Sequence, residues 1–191
     1  MITDTIPRNA SLKQEYQKSD DLRRMPLPDP HTLRALARNL EEALARDCRA
    51  DVQVASRSLI TALARAYRVP IPEVKVLGAR PRKVTEYAEH ELFGDYDPET
   101  ARIRLWARTA ILKKPTSFGT FLSTLCHEFC HHLDVVSLGL PNTFHTRGFY
   151  ERAGALYHHV RGTPPRPLVW VALPNGTFRI NWAETMRRPA R

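Results

Sequence analysis

Cysteine is scarce in this chain: Cys48, Cys126 and Cys130 are the only three in 191 residues, an odd number without a CxxC pair. That excludes a disulfide framework and a four-cysteine zinc ribbon, and the thiols read as small apolar packers. Glycine is scarce as well, with 8 residues and no glycine-rich phosphate loop, and no internal repeat or low-complexity tract occurs. No stretch approaches 18 consecutive apolar residues, and the start Met1-Ile2-Thr3-Asp4-Thr5-Ile6-Pro7 lacks the charged head and apolar run of a signal peptide. A cytoplasmic protein without a membrane partner is the resulting expectation, which unpaired cysteines suit. Acidic residues fall short of basic ones, 20 against 29, leaving a net charge of +9. Lysine supplies 6 of the 29 and arginine 23, which, with abundant Ala and Pro, has the look of GC-rich coding. The length and 42% hydrophobic content are enough for one ordinary core.

What the chain does carry is His127-Glu128-Phe129-Cys130-His131. On a helix, HExxH sets two imidazoles one turn apart with a carboxylate beside them, the arrangement of a zinc hydrolase. Composition alone produces the pattern in roughly one or two of a hundred such chains, so its surroundings decide. At about 100° per residue, Phe118, Leu122, Leu125, Phe129, Leu133 and Val136 gather on one stripe of a helix over residues 116–137. His127, His131 and Asp134 gather on the other side. Imidazoles satisfied inside a core would interrupt the stripe, whereas these form a polar edge of their own. His132, about 100° from His131, reads as a surface or packing residue. A structural site built from Cys126, Cys130, His127 and His131 would need one helix to supply all four ligands to one ion, which argues against it.

Catalytic zinc usually has three protein ligands and a position left open for water. Two residues compete for the third place. His145 follows the breaker-rich Gly139-Leu140-Pro141-Asn142 and precedes by one helical turn Phe149, the first of a stripe with Ala153, Leu156 and Val160, so it lies on the inward face. Glu151 has the spacing seen in thermolysin-like gluzincins, but it projects about 200° from Phe149 and faces away from the packed side. His145 is favoured.

These residues resemble the SprT-like and WLM-type minimal gluzincins, in which HExxH is followed by a histidine in an H-x-x-x-[FW] element, here His145-Thr146-Arg147-Gly148-Phe149. The likeness spans roughly residues 95–160 and is specific at those two elements. The metzincin pattern HExxHxxGxxH is not met, since Asp134 stands where its glycine would and no histidine follows three residues later. The resemblance implies an α+β zincin-like domain with N-terminal helices, a small antiparallel sheet, the HExxH helix, a second helix carrying the third ligand, and a C-terminal β-hairpin. It implies a zinc metallopeptidase acting on polypeptide, with His127, His131 and His145 binding Zn2+ and Glu128 as general base. Asp134, almost above His127 along the helix, is expected either to hold a ligand imidazole in its tautomer or to be solvated. Tyr150, Arg147 and Tyr157 are the choices for a further oxyanion donor. Some SprT-like proteins add a cysteine-rich ribbon after the catalytic domain, and no cysteine follows Cys130 here.

Relatives acting on proteins crosslinked to DNA raise DNA as a partner. The densest basic clusters are Arg80-Pro81-Arg82-Lys83 and Arg187-Arg188-Pro189-Ala190-Arg191, while the other arginines scatter along the chain, as solvated loop and tail charges do. The reading from another class is a non-catalytic zinc-containing module that binds nucleic acid or protein. Glu128 speaks against it, because a purely structural site needs no acid–base carboxylate beside its ligands.

Residues 1–28 are polar and close on Pro26, Pro28 and Pro30, the pattern of a mobile arm, with residues 29–191 as the folded domain. Asp29 as N-cap and Pro30 in first position start a helix with the stripe Leu33, Leu36, Leu40 and Leu44; a second carries Val52, Ala55, Leu59, Leu63 and Tyr67 and ends before Pro70. Residues 73–77 read as a strand, and 93–96 with 101–106 as a hairpin around Asp97-Pro98-Glu99-Thr100. In zincin-like folds the strand before the active helix borders the cleft. Residues 101–106 are therefore the expected edge for an extended substrate, or else an ordinary edge protected by its arginines. Gly162-Thr163-Pro164-Pro165 leads to a hairpin, 168–173 with 177–182, around Pro174-Asn175-Gly176. Its Trp170, Phe178 and Trp182 read as a packed face rather than a base-stacking platform.

Overall fold

The computed structural model describes residues 1–85 and 88–187, with the backbone alone for 82–85 and 88–91. The basic tail beyond Arg187 and the side chains of Arg82 and Lys83 lie outside the described residues. Helix α1 (Ala10–Asp21) is capped by Asn9, which accepts the Leu12 amide at 3.1 Å. Helix α2 (Pro30–Ala45) starts as predicted, with Asp29 accepting from the His31 amide and Pro30 in the first turn. It buries Leu33, Ala37, Leu40 and Leu44 against Val52, Leu59, Ile60 and Leu63 of α3 (Arg49–Tyr67). Helix α3 stops at Arg68, whose φ of 57° breaks the helical path just ahead of Pro70.

The strands that follow are β1 (Glu73–Ala79), β2 (Arg82–Thr85), β3 (Ala88–Glu91), β4 (Gly94–Asp97) and β5 (Arg102–Arg108). Strands β2 and β3 pair with each other, and the main sheet has the order β1-β5-β4. Val74 and Val76 of β1 lie parallel to Ile103 and Leu105, while Tyr96 and Gly94 of β4 lie antiparallel to the same two residues. The sheet is therefore mixed, not antiparallel as expected, because β1 reaches β5 by a crossover that contains β2, β3 and β4. A second correction follows. Strand β5 is central and hydrogen-bonded on both sides, so residues 101–106 are not an edge; β1 and β4 flank it, and the outer side of β1 is bonded by Gln53 of α3 at Val74 and Val76. The alternating arginines of β5 serve cross-strand ion pairs: Arg102 donates to Glu73 at 2.6 Å and Arg104 forks onto Asp95 at 2.8 and 2.6 Å.

Helix α4 (Phe118–Leu133) begins at Ser117, which accepts the Thr120 amide, and continues as a π-helical turn over Asp134–Leu138 that Gly139 ends at φ 64°. The π turn advances more residues per revolution, so Val136 leaves the predicted stripe and stands exposed. Helix α5 (Arg147–Arg161) is capped by Thr146, which accepts the Phe149 amide at 3.1 Å. Phe121, Leu122, Leu125 and Phe129 of α4 meet Phe149, Leu156 and Val160 of α5, and this layer closes over Leu40, Leu59, Val74, Ile103 and Leu105. Strands β6 (Trp170–Ala172) and β7 (Phe178–Ile180) form the expected hairpin, shorter than predicted because Trp182 opens helix α6 (Trp182–Arg187) and is exposed. Trp170 packs at 6.0 Å from the Tyr150 ring, and Arg147 lies over Phe178 at 4.1 Å. Among the described residues no helix is long and apolar enough to cross a membrane.

The expected mobile arm is instead a folded strap. Met1 and Thr3 bond to β7 through Ile180 and Phe178, and α1 packs on α5. The polarity that reads as an arm is spent on buried bonds: Ser19 to Thr146 at 3.0 Å, Asp20 to Arg147, and Arg152 to the Ser19 and Leu22 carbonyls. This docking relies on Gly148, where a Cβ would overlap the Ser19 carbonyl oxygen and stand 2.7 Å from that of Asp20. Backbone oxygens cannot swing aside. Gly148→Ala therefore destabilises the protein by about 1–3 kcal/mol through overpacking, although alanine in an open helix position stabilises by about 1 kcal/mol. A urea unfolding midpoint at or above wild type would refute the close approach.

Candidate metal centre

Helix α4 places His127 and His131 one turn apart, and the loop closing onto the Thr146 cap brings His145 to face them. The three Nε2 atoms lie 3.1, 3.1 and 3.2 Å from one another. Donors on a tetrahedron with Zn–N bonds of about 2.0–2.1 Å stand about 3.3–3.4 Å apart, so the triangle has the size a tetrahedral ion needs. The chemistry agrees. One N–H can lie between a pair of nitrogens, but three neutral rings cannot satisfy three converging lone pairs without a cation among them. Burial, reinforced by the neighbouring imidazoles, holds His127 down at about 3 and His131 lower still, so both stay neutral as ligands must. This group can hold a metal ion.

Phe149 is the floor of the site. Its ring stacks on His131 at 4.3 Å and meets His127 and His145 edge-on at 4.8 and 5.3 Å. That contact is the physical content of the H-x-x-x-F spacing. Glu151, the competing ligand, is not in the cluster: it accepts from Arg23 at 2.8 Å and from the Trp170 indole at 3.2 Å.

Glu128 follows His127 on α4, reaches toward Gly94 of strand β4, and is 5% exposed. Gly94 makes room for it, since a Cβ there would stand 2.5 Å from Thr124 Cγ2 and 3.0 Å from Glu128 Oε1. Burial pushes the Glu128 carboxyl up to about 8, and the charge of Asp95 adds to the shift.

Nothing among known protein families, curated proteins or solved structures matches this chain.

Asp134 corrects an expectation. It touches no ligand imidazole and is not solvated; wholly buried, it takes a two-pronged ion pair from Arg152 at 2.8 and 3.0 Å. His132 is a packing residue, fully buried between the Pro70 carbonyl at 2.8 Å and the Tyr96 hydroxyl at 3.0 Å. Of the three oxyanion choices, Arg147 is tied to Asp20 and Tyr157 to Arg161. Tyr150 stands beside the ligands, its ring 5.7 Å from His145 and 6.1 Å from His127, with its hydroxyl donating to the Ile2 carbonyl at 3.3 Å. Sequence reasoning missed Gly94, Arg152 and Asp4, whose carboxylate accepts the His145 amide at 2.8 Å. No local pattern marks them, because each acts on an element far away in the chain.

Proposed function

We propose that this protein is a zinc-dependent metallopeptidase. The observation that carries the reading is the convergence of three histidine Nε2 atoms, with the buried Glu128 next to His127 in the same helix. His127, His131 and His145 hold Zn2+, whose chemistry when bound is to acidify a coordinated water to a pKa of about 7 and to polarise the scissile carbonyl. Glu128 takes the proton of the attacking water on its carboxylate and returns it to the departing amine nitrogen. Its raised pKa belongs to the chain without metal; a divalent charge on the adjacent imidazoles acts the opposite way and favours the ionised base. Tyr150 is placed to donate toward the carbonyl oxygen once its hydroxyl turns from Ile2. Edge strand β4, with Gly94 against Glu128, takes over the role expected of residues 101–106 and receives the substrate backbone by ladder hydrogen bonds, with little demand on side-chain sequence.

Elemental analysis of purified wild type beside His127→Ala tests the reading. About one zinc per chain in wild type and none in the variant is the expected result. Wild type that takes up no transition metal even when zinc is supplied would remove the proposal and leave a binding role without zinc in its place.

A further inference from the structure

Asp4 closes on His145 from both sides although 141 residues separate them. Its amide donates to the His145 carbonyl at 2.9 Å, and its Oδ2 accepts the His145 amide at 2.8 Å. The same Oδ2 stands 3.6 Å from His145 Nδ1, a charge contact rather than a hydrogen bond. Nδ1 is on the opposite edge of the ring from the Nε2 that faces His127 and His131. Asp4 is itself anchored: its carbonyl accepts the Tyr16 hydroxyl at 3.1 Å, Tyr16 packs against Phe144 at 5.6 Å, and Thr3 is bonded to β7.

The three histidines differ in what holds them. His127 and His131 are fixed by the regular turn of α4. His145 lies outside a helix or strand, two residues after Thr143 at a φ of 46°, and its backbone is clasped by Asp4. His131 Nδ1 is buried without a hydrogen-bond partner, whereas His145 Nδ1 faces a carboxylate.

We infer that Asp4 is a positioning residue for the third metal ligand. Its backbone and carboxylate set the place of His145, and its charge favours the proton on Nδ1, which leaves the Nε2 lone pair for the metal. The N-terminal strap therefore completes the site. The inference rests on the zinc reading above. Removing an outer carboxylate of this kind typically weakens metal binding by about 10–100-fold.

The test measures zinc affinity by competition with a chromogenic chelator, and the visible spectrum of the Co2+-loaded protein, for wild type, Asp4→Ala and Asp4→Asn. Asn keeps an oxygen for the His145 amide but carries no charge toward Nδ1, so it separates a tether from an electrostatic partner. The expected result is zinc affinity about 10–100-fold weaker in Asp4→Ala and about tenfold weaker in Asp4→Asn, with shifted Co2+ bands in both. Affinities within twofold of wild type and an unchanged spectrum would overturn the inference, as would an Asn variant indistinguishable from wild type beside a weakened Ala variant. If Asp4→Ala does not fold, Asp4→Asn decides alone. Wild type that binds no zinc is a different failure, since it removes the metal reading itself.

Discussion

Glu128→Gln is expected to keep one zinc per chain while the turnover of an unfolded protein substrate falls by about 10²–10⁴-fold. Gln preserves the shape of the side chain under Gly94 and Thr124 but can neither take nor return a proton. The histidine ligands are untouched, so zinc content and activity separate. Loss of zinc in this variant would mean that Glu128 belongs to the ligand set, and wild-type turnover would remove it as the base. Stability carries a second signature. The folded carboxyl sits at about 8 against an ordinary 4.5 because burial disfavours its charged form. A raised folded value means that the carboxyl's stabilising contribution is complete below about 4.5 and is lost as the pH rises through about 8. Gln has no proton to lose. Metal-free Glu128→Gln therefore gains on metal-free wild type as the pH rises across that window, which urea midpoints at its two ends will read.

The histidine-bearing helix is legible in the sequence because its pattern is local. The apolar period and the His127–His131 spacing both lie within residues 118–133, the Phe149 stripe points to His145 rather than Glu151, and the structure groups His145 with the other two imidazoles around Phe149. Sheet order was not legible. The alternation in Arg102-Ile103-Arg104-Leu105 reveals which residues face the core but not whether a neighbour lies on one side or both, and the partner that makes β5 central comes from before the hairpin. The strap failed for a different reason. Polar side chains such as Ser19 and Asp20 look solvated in sequence, and their partners Thr146 and Arg147 stand more than a hundred residues away. The π turn after Leu133 likewise leaves no mark in the sequence beyond Gly139, and Asp134 at its start, expected to meet a ligand imidazole or water, meets Arg152 of the next helix, a partner local spacing does not reveal.

Arg152→Leu is expected to destabilise the protein by about 3–5 kcal/mol, a large part of the roughly 5–15 kcal/mol that holds a domain folded. Arg152 and Asp134 are both fully buried, and the guanidinium also serves the Ser19 and Leu22 carbonyls at the end of α1. Leucine would leave a carboxylate and two carbonyls without that donor. The loss depends on pH. Burial already pushes the Asp134 carboxyl up to about 6, against the opposing pull of Arg152, and without the guanidinium it moves higher. A carboxyl raised by folding weakens the native state as the pH rises through its folded value, so the deficit of the variant is smallest near the ordinary carboxyl value and grows above it. Replacing Asp134 by leucine as well removes the stranded charge and returns part of the loss, a non-additivity that a double-mutant cycle in urea will measure. A deficit under about 1 kcal/mol, constant with pH, would mean that the pair is not buried. The pair also joins the turn that follows His131 to the helix that follows His145. Its loss should therefore weaken zinc retention along with the fold.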